Sequence, residues 1–172
     1  MAVSAMRFHS SLSLLIVIGL VAGCASFNGY GLKPGVSTAA DVEALMGAPA
    51  EKITAADHDS IWYYPRQPTG LHTYAVRIGP DGVMRSLEQR LTEKNLKFLV
   101  PGATTMKDMR ELLGPPWRSA RNFLNDRDCW DYRMYNAAQI EYILSVQFSD
   151  DGLLREVVFL EDRKVSGASR RR

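Results

Sequence analysis

The residue best placed to do chemistry is Cys24, which follows Leu20-Val21-Ala22-Gly23. A cysteine sulfur is a nucleophile once ionised, and the small Ala22 and Gly23 leave the backbone before it open to close approach. Cys129, between Asp128 and Trp130 in a stretch with strand character, reads as a buried, inert thiol. The run Asp57-His58-Asp59 has metal-ligand and acid–base residue types, but neighbours in one loop do not converge on a point and no further ligand motif supports them. His72 opens a strand beside Pro68-Thr69-Gly70 and reads as a surface residue, and Asp126-Arg127-Asp128 as a solvated charged loop. No serine lies in Gly-x-Ser-x-Gly, and the glycines form neither a phosphate loop nor a dinucleotide fingerprint. These patterns predict a non-catalytic protein with no metal and no cofactor.

Upstream of Cys24 lie Arg7, Ser10-Ser11 and an apolar run over Leu12–Val21. A spanning helix needs roughly 20 apolar residues, which this run does not reach. A basic start, short apolar core and small residues before a cut describe a bacterial export signal, and from Met6 it is complete without residues 1–5. With the cysteine next, Leu20 to Cys24 resembles the lipobox of bacterial lipoproteins. The resemblance implies cleavage between Gly23 and Cys24, acylation of Cys24, and stable anchoring by more than one acyl chain. Ala25 after the cysteine, rather than Asp, implies the outer membrane, facing the periplasm. A secreted protein with a chance cysteine near its cut, or an uncleaved anchor, is the competing reading. An acylated Cys24 cannot pair with Cys129.

The 149 residues from Cys24 to Arg172 allow one ordinary domain or two small ones. Without Arg7 the chain carries 20 basic and 19 acidic residues, so no global basic field points to nucleic acid. Residues 24–31 read as a short lipidated tether and residues 163–172 as a disordered basic tail.

The elements between them come in duplicate. Leu32-Lys33-Pro34-Gly35-Val36-Ser37-Thr38 returns as Leu99-Val100-Pro101-Gly102-Ala103-Thr104-Thr105, an offset of 67 that becomes 68 at Trp62 and Trp130 and 70 at Asp81-Gly82 and Asp151-Gly152. Similarity at a fixed period marks a repeated unit, here residues 32–92 and 93–162. Thr38 and Thr105 stand at helix N-caps with Asp41 and Asp108 three residues on. Val42, Leu45 and Met46, like Met109, Leu112 and Leu113, form an apolar face, and Gly47 and Gly114 mark the exits. A further short helical turn is expected over Glu93–Phe98. Strand signals follow over Ser60–Tyr64, His72–Gly79 and Val83–Leu91, and over Asp128–Met134, Gln139–Phe148 and Leu153–Glu161. Tyr74, Val76 and Ile78 share one face, as do Ile140, Tyr142, Leu144, Val146 and Phe148. The expected fold is α+β: two tandem repeats, each one or two short helices and a three-stranded antiparallel meander. The two meanders are expected to join edge to edge into one curved sheet, with helices on one face and the other open to a partner.

Pro-Gly-x-x-Thr-x-x-Asp-Val-x-x-Leu-Met-Gly-x-Pro, then Trp-x-Tyr, a strand, Asp-Gly and another strand resembles the SmpA/OmlA domain of BamE-like outer-membrane lipoproteins. In tandem it is similar to the two-repeat fold of β-lactamase inhibitor proteins. The first resemblance implies a protein-interaction module in envelope assembly or maintenance, with envelope proteins as partners, the barrel-assembly machinery among them. The second implies an inhibitor of a periplasmic hydrolase. Tyr63, Arg77, Tyr132 and Arg133 are the expected partner-binding residues, since aromatic and arginine side chains serve as interface anchors, whereas Trp62 and Trp130, at one place in both repeats, are expected in the core.

Overall fold

A computed structural model describes residues 28–67 and 69–161. Cys24, the signal and lipobox residues and the basic tail lie outside the described residues. Each half begins with an eight-residue helix, α1 (Ala39–Met46) and α3 (Met106–Leu113). Both start on a reciprocal cap: Asp41 N–H donates to Thr38 Oγ1 at 3.2 Å while Thr38 N–H donates to Asp41 Oδ2 at 2.8 Å, and Thr105 and Asp108 repeat this at 3.1 and 2.9 Å. Two of the four orphan amides at each helix start are thereby satisfied. Both helices end at a glycine with φ 82°, Gly47 and Gly114, and with ψ near 180° that backbone is open to little but glycine. The turn expected before the second Pro-Gly is α2 (Glu93–Leu96).

Four strands follow each eight-residue helix, not three. β1 (Glu51–Thr54), β2 (Ser60–Pro65), β3 (Thr73–Ile78) and β4 (Met84–Gln89) make one antiparallel sheet, and β5 (Arg118–Asn122), β6 (Arg127–Tyr135), β7 (Glu141–Phe148) and β8 (Leu154–Glu161) a second, each in sequence order. The added strands β1 and β5 read Glu-Lys-Ile-Thr and Arg-Ser-Ala-Arg-Asn. They have little apolar alternation and are strands because β2 and β6 supply ladder partners, Lys52 opposite Trp62 and Ser119 opposite Trp130.

The sheets do not join into one. Val42 and Met46 of α1 pack with Trp62, Tyr64, Val76, Ile78 and Met84 on the inner face of the first sheet. Met109 and Leu113 of α3 pack with Tyr132, Met134, Leu144, Val146 and Phe148 on the inner face of the second. The opposite side of α3 meets the outer face of the first sheet: a Cβ added at Gly114 would lie 2.9 Å from Tyr63 Cδ1 and 3.0 Å from Thr73 Cγ2, and Arg110 pairs with Glu51 at 2.9 Å. The order of layers is therefore α1, first sheet, α3, second sheet. This corrects the single sheet with one open face, because Ile61, Tyr63 and Ala75 give the first sheet a second apolar face that must be covered. The outer face of the second sheet has no helix against it among the described residues.

Candidate protein-interaction surfaces

The turn that closes α3 explains where two of the expected partner-binding residues lie. Its last carbonyls have no intrahelical donor. Tyr63, from the first sheet, donates its hydroxyl to the Glu111 carbonyl at 2.9 Å, and Tyr132, from the second, donates to the Gly114 carbonyl at 3.2 Å. Both side chains are fully buried, and burial holds both phenols above their ordinary pKa. They bracket α3 from two sides and fasten the repeats together, so neither reaches a partner, contrary to expectation. β-strand alternation explains the difference from the reading by residue type. Tyr63 points to the outer face of its sheet and Tyr132 to the inner face of its own, and α3 lies against both.

Arg77 is also committed within the chain. Its Nε donates to Asp59 Oδ2 at 2.7 Å and a terminal nitrogen pairs with Asp57, so Asp57-His58-Asp59 is the acidic half of a clasp across the β1–β2 loop. That contact holds the Asp57 carboxyl below its ordinary pKa. Arg133 pairs with Glu141, donates its backbone N–H to Gln67 Oε1 at 3.0 Å, and lies 5.5 Å from the Trp117 ring, with Arg118 5.4 Å from the same ring. Of the four expected residues it alone sits on the uncovered face of the second sheet. Trp62 is buried under Lys52 Nζ, 3.7 Å from the ring centroid. Trp130 is half-buried with its ring edge-on to Phe148 at 5.0 Å. Both tryptophans face the inner clusters. Cys129 is half-buried on the outer face, and burial raises its thiol pKa, which keeps the weakly nucleophilic protonated form. His72 is half-buried and stacks on Tyr74 at 5.9 Å, with Tyr135 of the other repeat at 6.3 Å.

Exposed apolar side chains gather on the second repeat. Phe123 and Leu124, at the tip of the β5–β6 hairpin, are 86% and 99% exposed. The base of that tip is tied down. Arg121 reaches Asp126 and Asp150 at 2.6 Å each and Asp128 at 3.3 Å, and these partners, Asp150 foremost, hold its guanidinium firmly charged. Leu124 N–H donates to Asn122 Oδ1 at 3.0 Å, and Asn125 donates to Gln147 at 3.0 Å. Two large apolar side chains thus stand in solvent on a braced loop. The equivalent loop of the first repeat carries alanines, and Ala55 there is buried. A second apolar patch is formed by Ile140, expected within the strand but lying just before β7, with Phe159 and Leu160, beside a groove of about 540 Å³. Sequence reasoning missed both; Phe123-Leu124 between two asparagines was the visible signal.

Asn28 lies with Pro65, Arg66 and His72 at the β2–β3 end of the molecule, where Gln67 meets Arg133 and His72 meets Tyr135. The Phe123–Leu124 tip is at the other end of β6. Arg127–Tyr135 covers eight steps of about 3.3 Å, so roughly 26 Å separates them along the strand. The titratable side chains around the tip serve as clasps, and among the described residues no three His, Cys, Asp or Glu are grouped to hold a metal ion.

No protein-family model and no curated protein matches this chain. Among solved structures it is similar to the crystal structure of a DUF4309 family protein (YjgB) from Bacillus subtilis, at 21% identity over 77% of this chain and 84% of that one, with a TM-score of 0.29. A likeness that loose carries no argument about function.

Proposed function

We propose that this chain is a non-catalytic lipoprotein of the bacterial outer membrane, anchored through Cys24 and facing the periplasm, that binds other envelope proteins through its second repeat. The observation that carries the binding role is the braced Phe123–Leu124 tip. Exposing two large apolar side chains forgoes about 1.5–3 kcal/mol of burial each, and a loop held rigid in advance loses little entropy on binding. Cys24 in its lipobox and Ala25 support the location, and the duplicated Pro-Gly–Thr–Asp–Gly–Pro pattern supports kinship with BamE-like SmpA/OmlA domains. No helix among the described residues is long and apolar enough to cross a membrane, and anchoring through an acylated cysteine requires none. The tip lies at the end of the molecule away from Asn28, so a tether at Cys24 leaves it free to meet a protein.

A photo-crosslinking residue at position 123 in the full chain is expected to capture one discrete partner in cells, and the same probe at Val36 on the first repeat is not. Equal capture from both positions defeats the role of the tip. Loss of acyl mass and of membrane fractionation in Cys24→Ser tests the anchor separately. Inhibition of a periplasmic hydrolase is the second reading, favoured by the same tip, whose paired apolar residues suit insertion into a cleft. It requires that the captured partner be a hydrolase and that Phe123→Ser release its activity.

A further inference from the structure

The four sheet edges are unequal. β1, β4 and β5 are four, six and five residues long and carry Glu51, Lys52, Arg85, Glu88, Arg118 and Arg121, and short charged edges resist pairing. β8 runs eight residues, has β7 on one side and no strand on the other among the described residues, and reads Val157-Val158-Phe159-Leu160 between Glu156 and Glu161. Phe159 and Leu160 are exposed, and the groove beside them is walled by Leu96, Ile140 and Tyr142. A long apolar edge of this kind takes up another strand.

We propose that β8 pairs antiparallel with β8 of a second copy of this chain, about a twofold axis that is perpendicular to the sheet and passes midway between the two Val158 residues. Such an axis keeps the two inner faces on one side, so facing residues come from the same face of each strand. Centred on Val158, the pairing sets Val158 against itself and Val157 against Phe159 of the second copy, twice, at the mouth of the groove. Aromatic and β-branched cross-strand pairs of this type stabilise antiparallel sheets. The same register faces Arg155 with Glu161, twice, and leaves Glu156 opposite Leu160. Centring on Phe159 instead sets Val157 against Glu161 and Glu156 against Asp162, and centring on Val157 sets Phe159 against Arg155 and Glu156 against Val158. The axis also runs along the direction in which the layers stack. Both α1 layers, with Gly29 against Met46, therefore face the same side. On the lipoprotein reading both Cys24 anchors enter one bilayer, where anchoring raises the local concentration and supports a contact of modest area.

The test uses the full chain purified in mild detergent, carrying Cys129→Ser and either Val158→Cys or Glu156→Cys, with the Cys129→Ser parent revealing any link through Cys24. Facing Cα atoms in an antiparallel pair are about 4.5–5.5 Å apart, within disulfide reach, whereas the two positions 156 are displaced by four residues, roughly 13 Å. Mild oxidation is expected to give a covalent dimer from Val158→Cys and none above the parent from Glu156→Cys. Sedimentation of the unsubstituted chain is expected to show a concentration-dependent dimer that Val158→Lys abolishes while its melting curve stays that of a folded protein. A monomer at every concentration, or equal linking at 156 and 158, overturns the proposal. Neither result depends on whether Cys24 carries lipid.

Discussion

Tyr63 and Tyr64 are neighbours on one strand, both buried, and the same substitution in each should act with opposite sign. The Tyr63 hydroxyl is the donor to the Glu111 carbonyl at 2.9 Å, so Tyr63→Phe strands a carbonyl in the closed space between the first sheet and α3. A buried acceptor left without a partner costs about 1–3 kcal/mol. The Tyr64 hydroxyl, on the opposite face, is buried with no hydrogen-bond partner among the described residues, so the native state already bears its desolvation, and Tyr64→Phe removes that cost. It should be neutral or stabilise the protein by up to about 1 kcal/mol. Urea denaturation followed by tryptophan fluorescence reads both, Trp62 lying beside one site and Trp130 near the other. The expected outcome is a lower midpoint for Tyr63→Phe, a midpoint unchanged or raised for Tyr64→Phe, and equal m-values. A common loss in both variants would mean that ring packing, not the hydrogen bond across the repeats, decides stability here, and the bracket around α3 would lose its meaning.

Gly47→Ala and Gly114→Ala share a helix-exit φ of 82°, so each should cost about 1–3 kcal/mol in backbone strain. Only the second also drives a Cβ into Tyr63 and Thr73, so chemical denaturation should show Gly114→Ala losing more by about 1–3 kcal/mol. Asp41 and Asp108 have pKa values lowered by hydrogen bonds from Thr38 and Thr105, backbone first, and Asp57 by Arg77. A folded-state pKa below the unfolded one gives stability that is present above the ordinary carboxylate value of 3.8 and lost as pH falls through the folded-state pKa. Thermal midpoints should therefore fall below about pH 4, and Asp108→Asn should flatten that part of the profile. Arg121→Ala frees Asp126, Asp128 and Asp150, so the yield of crosslinks from position 123 should drop while the urea midpoint stays close to that of the parent. Cys129, half-buried with a raised pKa, should react with iodoacetamide more slowly than a model thiol at pH 8, and faster on denaturation.

Local signals carried much of this fold. Thr38, Asp41 and Gly47 with their counterparts Thr105, Asp108 and Gly114 mark both eight-residue helices, because caps are settled within one turn of chain. β2, β3, β6 and β7 show themselves through aromatic and β-branched residues. β1 and β5 do not, since Glu51-Lys52-Ile53-Thr54 and Arg118-Ser119-Ala120-Arg121-Asn122 are strands by pairing and not by composition. The placement of α3 between the sheets depends on contacts as distant in sequence as Tyr63 with Glu111, which no periodicity reports. Residue type alone nominated Tyr63, Tyr132 and Arg77 for a surface, and tertiary packing assigned all three to holding the molecule together. The exposed pair Phe123-Leu124 went unnoticed because a hairpin tip and a buried strand present the same apolar letters.

The duplication also accounts for why the stack ends where it does. In the first sheet, the face that receives α3 is built from Ile61, Tyr63 and Ala75. Carried forward by the offsets of 68 and 70, those positions are Cys129, Asp131 and Ser145 on the outer face of the second sheet. Asp131 there binds Arg118 Nε at 2.9 Å instead of meeting a helix, and Arg127 pairs with Glu156 at 2.9 Å across the same face. Terminal repeats of an array carry a more polar outer face, and Asp131 and Ser145 in place of Tyr63 and Ala75 shift this face that way, although Ile143, Val158 and Leu160 share it. The two repeats therefore divide the work. The first spends both faces of its sheet on packing, and the second leaves its outer face, its tip and its β8 edge unpacked among the described residues.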